Sequence, residues 1–206
     1  MSTILVASTN RGKVREIRAF LEGLPFAFET LAEHPGFPVF PETGRTFEEN
    51  ARGKGLFYGR LSGGLVLAED SGLEVDRLGG APGVISARFS DPGATDDRNI
   101  DKVLELLADA PPSERTARFV CCLVLCRGED VLKEIRGTVE GTITTARRGS
   151  GGFGYDPIFY YPPLGRTFGE LSPEEKNRVS HRGNALRQLR EFLSGPDGSS
   201  SFGKGL

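Results

Sequence analysis

Three of the chain's six lysines stand in segments that each read as a polyanion site. Lys13 closes Ser8-Thr9-Asn10-Arg11-Gly12-Lys13, where a first strand hands over to a first helix. Lys54 lies in Phe47-Glu48-Glu49-Asn50-Ala51-Arg52-Gly53-Lys54. Lys176 ends Ser172-Pro173-Glu174-Glu175-Lys176, just ahead of Ser180-His181-Arg182-Gly183. Elsewhere the chain prefers arginine, which occurs twenty times. An ammonium is a compact point charge, whereas a guanidinium is a planar fork. Lysine kept at these three places points to phosphate. The first segment also offers helix N-terminal N–H groups, which bind anions, although it lacks the spacing of a P-loop. Taken alone, it better suits a helix capped by Asn10 with Lys13 on the surface.

Two further segments carry chemistry. Glu69-Asp70-Ser71-Gly72 follows the apolar run Leu65-Val66-Leu67-Ala68, so a strand ending in a turn would aim its carboxylates. Asp70 could hold Mg²⁺ and also take a proton from an attacking water. The same residues suit an ordinary acidic turn. Gly151-Gly152-Phe153-Gly154-Tyr155-Asp156-Pro157 isolates two aromatics and a carboxylate among glycines. Phe153 or Tyr155 could stack on a base, or both could fill a core.

The elements that must position these groups alternate. Ile4 to Ala7 reads as a buried strand and Lys13 to Leu21 as a helix with Val14, Ile17, Phe20 and Leu21 on one face. Residues 22–45 are proline-rich connections with short strands. Thr46 to Glu49 has the spacing of a capping box, opening a helix to about Arg60 that Gly53 and Gly55 weaken. Leu65 to Ala68 reads as a strand with Leu73 to Val75 as its return, followed by a long loop from Gly79 to Gly93. Asp96 to Leu107 is an amphipathic helix. Thr116 to Arg127 and Val131 to Val139 form a hairpin through Gly128-Glu129-Asp130. Ser172 opens a last helix to about Leu193, with a break near Gly183. The pattern is α/β with a mixed sheet, one domain over residues 1–194 and a Gly/Ser-rich tail at 195–206 that reads as disordered.

Composition narrows the function. A net charge of −2 argues against a partner that is polymeric nucleic acid, and no apolar run has the length of a membrane span. Cys121, Cys122 and Cys126 share one apolar strand and fit no zinc pattern, so they read as core residues of a reduced, cytoplasmic protein.

Six segments in order resemble the inosine triphosphate pyrophosphatase family, which clears non-standard purine nucleoside triphosphates. They are Ser8-x-Asn10-x-x-Lys13, Glu69 to Leu73, Leu78 to Gly83, Ser86-Ala87-Arg88, Gly151 to Pro157 and Ser180 to Gly183, and the likeness runs from Thr3 to Leu193. The resemblance implies an elongated α/β fold with two lobes around a central cleft, and a homodimer. It implies Mg²⁺-dependent hydrolysis of ITP, dITP and XTP to the monophosphate and pyrophosphate. It places Ser8, Thr9, Asn10, Arg11, Gly12, Lys13, Lys54 and Lys176 on the triphosphate, and Asp70 as general base and metal ligand with Ser71 beside the substrate. Glu42 would be a second metal ligand. Phe153, Gly154, Tyr155, Asp156, His181 and Arg182 would recognise the base. Two other readings stand beside it: a Maf-like nucleotide pyrophosphatase with another base preference, and a nucleotide sensor without turnover.

Overall fold

The computed structural model describes residues 2–195; the tail expected from Gly195 onward lies, after that glycine, outside the described residues. Seven strands form one sheet in the order β2-β1-β3-β4-β5-β6-β7. They are β1 (Ser2–Val6), β2 (Phe26–Thr30), β3 (Leu65–Val75), β4 (Thr116–Arg127), β5 (Asp130–Ile143), β6 (Phe159–Tyr161) and β7 (Arg166–Thr167). β1 pairs in parallel with β2 and β3, while β5-β6 and β6-β7 are antiparallel, so the sheet is mixed as expected. The helices are α1 (Arg11–Leu21), α2 (Phe47–Ser62), α3 (Asp96–Leu106), α4 (Pro173–Val179) and α5 (His181–Ser194). Among the described residues, no helix is long and apolar enough to cross a membrane.

The chain divides into two compact units. Among the described residues, the first holds 2–70, 121–137 and 183–195; the second holds 71–120 and 138–182. In the first unit, side-chain parity along the strands builds two apolar layers. Ile4, Val6, Leu65 and Leu67 pack with Ile17 and Leu21 of α1 and Leu186 and Leu189 of α5. Leu5, Ala7, Val66 and Ala68 pack with Tyr58 of α2 and the half-buried Phe37, Phe40 and Phe57. Successive strand residues point to opposite faces, so both faces of this part of the sheet are covered. The second unit has its own core around Leu73, Ile100, Val103, Phe119, Ile158, Phe159 and Phe168.

Several expectations are corrected. β3 is one continuous strand of eleven residues, so Ser71-Gly72 is not a turn and Leu73 to Val75 is not a return strand. Gly72 is there for close approach: an added Cβ would lie 2.3 Å from Ser86 Oγ and 2.7 Å from the Gly83 carbonyl oxygen. The loop at 79–93 contains a short 3-10 segment, Gly83–Arg88. The final helix breaks at the extended Ser180, not near Gly183.

The glycines of α2 pack rather than loosen it. A Cβ on Gly55 would meet Cys126 Sγ at 2.9 Å, and one on Gly59 would meet the Gly128 carbonyl oxygen at 2.0 Å. Glycine at i and i+4 lets the helix lie close on the β4–β5 hairpin, at a propensity cost of roughly 1 kcal/mol each. Thr46 caps α2 by accepting from the Glu49 N–H at 3.1 Å, but the expected box is incomplete, since Glu49 accepts from Arg45 instead. The box at Ser172 and Glu175 is complete. All three cysteines are buried free thiols. Burial raises the thiol pKa values of Cys122 and Cys126, the latter to about 11, which makes both poor nucleophiles.

Candidate active site

The first unit gathers the carboxylates and two of the lysines. Parity explains how. Glu69 continues the Leu65-Leu67 face of β3, toward α1, and forms an ion pair with Lys13 at 3.4 Å. Asp70 continues the Val66-Ala68 face, toward α2, and its Oδ2 accepts from Asn50 Nδ2 at 2.9 Å. The two adjacent carboxylates therefore serve opposite faces and do not converge. Glu69 and Asp70 are both buried, at 2% and 5% exposure. Burial pushes the Asp70 carboxyl up to about 6 and outweighs Lys13, the Asn50 hydrogen bond and Lys54, which pull it down, while Glu42 adds to the rise.

α2 supplies the bracket around Asp70. Asn50 and Lys54 are one helical turn apart, hence on one face. Lys54 Nζ donates to the Glu69 carbonyl oxygen at 3.0 Å and is ion-paired with Glu42. Asn50 Oδ1 accepts from the Gly44 N–H at 2.7 Å, two residues after Glu42. Asn50 is 1% exposed and absent from the sequence-derived set. Its signal was available: asparagine in a helix interior, four residues before a singled-out lysine, is a poor helix former that needs another reason. At the start of α1, Asn10 is the N-cap, accepting from the Lys13 N–H at 3.0 Å, and its own N–H donates to Ser8 Oγ at 3.2 Å. Thr9, Asn10 and Arg11 are exposed, with Ser8, Gly12 and Lys13 half-buried.

The second unit gathers the aromatics and the other cations. Lys176 forms a buried ion pair with Asp156 at 2.6 Å, and its ammonium lies 4.4 Å from the Phe153 ring centroid. The Arg182 guanidinium is 5.5 Å from the same centroid and donates to Ser71 Oγ at 3.0 Å. Asp156 Oδ2 also accepts from the Phe153 N–H at 2.9 Å. Gly152 makes this turn possible: at φ +77° an added Cβ would fall 1.9 Å from that oxygen. Phe153 is half-buried, whereas Tyr155 is in the core and donates its hydroxyl to the Ser86 carbonyl at 2.7 Å. His181 is buried and stacks on Phe119, with ring centroids 4.7 Å apart. Gly154 donates its N–H to Asp96 at 2.7 Å, an aspartate that sequence reasoning treated only as a helix start.

Donor chemistry tests whether this set fits a divalent cation. Asp70 is a buried carboxylate whose charge is destabilised, and the nearby Glu42 charge aggravates it. Lys54 already neutralises Glu42. Carboxylate oxygens are hard donors that suit Mg²⁺, which on a nucleotide takes only one or two of them. Groups of three or more His, Cys, Asp or Glu placed to hold a metal ion are absent among the described residues. Glu42 and Asp70 lie close enough for the charge of one to raise the pKa of the other, and two such carboxylates fit that need.

Comparison with known proteins agrees with the resemblance. The Ham1 family model matches residues 4–192. The chain belongs to the Ham1 family. It is 47% identical over 193 residues to a dITP/XTP pyrophosphatase of Geobacter sulfurreducens, covering 94% of this chain and 97% of that one. A dITP/XTP pyrophosphatase of Halalkalibacterium halodurans is 46% identical, with 94% and 100% covered. Among solved structures, a HAM1 protein from Coxiella burnetii superposes with a TM-score of 0.87 at 43% identity, covering 94% of this chain and 99% of that one. The Staphylococcus aureus Ham1 protein gives 0.84 at 40% identity, with 94% and 99% covered.

Proposed function

We propose that this member of the Ham1 family is a Mg²⁺-dependent pyrophosphatase of non-standard purine nucleoside triphosphates, taking dITP, XTP and ITP to the monophosphate and pyrophosphate. The names of its relatives supply the substrate class. The observation that carries the chemistry is Asp70, a buried carboxylate raised to about 6 and oriented by Asn50. At pH 7.5 such a group is ionised, yet it is a stronger base than an ordinary aspartate, which suits it to take a proton from water.

In this reading, water attacks the α-phosphorus, Asp70 accepts its proton, and the bond to the bridging oxygen breaks to release pyrophosphate. The N–H groups opening α1, with Ser8, Lys13 and Lys54, receive the phosphate charge by position and electrostatics. Mg²⁺, held through Asp70 and Glu42 with phosphate oxygens, would supply further charge neutralisation.

Phe153 offers a ring to the base, with Lys176 and Arg182 at that ring. Inosine and xanthosine present an acceptor oxygen at C6 where adenosine presents a donor. The Arg182 guanidinium, a donor without an acceptor, favours the former. The same reading makes the enzyme a cytoplasmic homodimer, which sedimentation in dilute solution checks.

Chromatography of the early reaction with XTP tests the assignment. XMP and pyrophosphate should appear together with no transient XDP. Accumulating XDP with free orthophosphate would place the cut at the γ-phosphorus and sink it. A wild-type protein inert on XTP, dITP and ITP with Mg²⁺ would sink the function altogether.

A further inference from the structure

The bracket on α2 has two halves, and only the lysine half corresponds to a residue that sequence reasoning selected. The other half is Asn50. Its side chain is 1% exposed and is spent on two hydrogen bonds of opposite sense. Nδ2 donates to Asp70 Oδ2 at 2.9 Å, and Oδ1 accepts from the Gly44 N–H at 2.7 Å. One side chain therefore fixes both the carboxylate proposed as base and the segment that carries Glu42. The segment is built for that contact. A Cβ on Gly44 would lie 2.6 Å from Asn50 Oδ1 and 2.9 Å from Glu49 Cβ, so only glycine lets the backbone come this close. An amide carries a donor and an acceptor on one planar group, which suits two bonds of opposite sense. Aspartate at 50 would set an oxygen against Asp70, and leucine would leave the buried Asp70 oxygen and the Gly44 N–H without this partner.

We propose that Asn50 is the positioning residue of the reaction: it aims the Asp70 carboxylate and ties the Glu42 segment to it. This rests on the reading of Asp70 as the base. Outer-shell partners of this kind typically change activity about 10–100-fold when removed. The register explains why an α2 residue can do this, since Asp70 lies on the strand face that packs toward α2 while Glu69 does not.

The test separates the two bonds. Asn50→Ala should lose about 10–100-fold in kcat on XTP while KM moves less than about threefold. In the same protein, without substrate, the Gly44 amide should exchange its hydrogen at least about tenfold faster by NMR, as expected for a lost hydrogen bond. Asn50→Asp should keep Gly44 protected and still lose kcat, because the acceptor for Gly44 stays while the donor to Asp70 is replaced by a carboxylate oxygen. It also carries the test should Asn50→Ala fail to fold. Thr46→Ala, which removes the α2 cap without touching Asp70, should lower Tm and leave kcat unchanged. Wild-type kcat in Asn50→Asp, or the same kcat loss in Thr46→Ala, overturns the proposal. Unchanged Gly44 protection in Asn50→Ala removes the tether. Should wild-type protein prove inert on XTP, the proposed function fails first, and the exchange measurement still decides the tether.

Discussion

Replacing Asp70 by asparagine should stabilise the metal-free protein while disabling it. The carboxyl is 5% exposed, and burial raises its pKa from 3.8 to about 6. A carboxyl whose folded-state pKa lies above its unfolded value contributes most at low pH. That contribution is fully present below 3.8 and is lost as pH rises through about 6. At pH 8 the ionised group therefore costs about 3 kcal/mol, from roughly two pKa units at about 1.36 kcal/mol each. At pH 4.5 the cost falls to about 1 kcal/mol by the same linkage. The amide avoids it and keeps an oxygen to accept from Asn50. Lys13 and Lys54 retain Glu69 and Glu42 as partners. Urea unfolding in EDTA should show Asp70→Asn ahead of wild type at pH 8, by about 1 M or more in midpoint for a slope near 2 kcal/mol/M. The gap should shrink toward pH 4.5. Adding Mg²⁺ at pH 8 should raise wild type toward the variant and leave the variant unmoved. Turnover should fall about 10²–10⁴-fold. An Asp70→Asn protein less stable than wild type at pH 8 in EDTA would refute the reasoning, because the lysines would then be over-compensating the buried charge.

Asp156→Asn should cost about 3–5 kcal/mol in chemical unfolding, because it strands the buried Lys176 ammonium; a loss below about 1 kcal/mol would mean the pair is not desolvated. Gly59→Ala should cost about 1–3 kcal/mol, since its Cβ would sit 2.0 Å from the Gly128 carbonyl oxygen, and Tm reads this without any assay of activity. Arg182→Ala should narrow the ratio of kcat/KM for ITP over ATP; an equal loss on both substrates would assign the guanidinium to structure, as its 2% exposure and its bond to Ser71 also allow.

Much of the architecture was legible in the sequence because its periodicities are local. The α1 stripe, the proline at the first position of α4 and the turn at Gly128 each follow from a few neighbouring residues. The parity of β3 was not legible. Leu65 to Ala68 is apolar at every position because helices cover both sheet faces, and a run without alternation hides which residue faces which helix. Ser71-Gly72 then resembled a turn, since the reason for glycine is a contact with Ser86 fourteen residues on. The resemblance singled out Asp70 as general base and metal ligand, but nothing in Glu69-Asp70 said that the two carboxylates part company. That follows only once Lys13 is seen on one face and Asn50 on the other.

The lysines carry the same point further. Sequence treats Lys13, Lys54 and Lys176 alike, as ammonium groups in phosphate-like segments. Their partners distinguish them. Lys54 bonds the Glu69 carbonyl oxygen and pairs with Glu42, so its charge stands beside Asp70, and Lys13 reaches the same strand through Glu69. Lys176 is neutralised by Asp156, and it supports the ring of Phe153 from 4.4 Å. All three ammonium groups are ion-paired, and Lys176 also lies over an aromatic face, where a cation fixes where that face sits. Asp156 also holds the Phe153 N–H, so one carboxylate orients both the backbone of Phe153 and the ammonium over its ring. Lys176 thus differs from Lys13 and Lys54 in what it holds: it fixes an aromatic face, whereas they stand beside the β3 carboxylates.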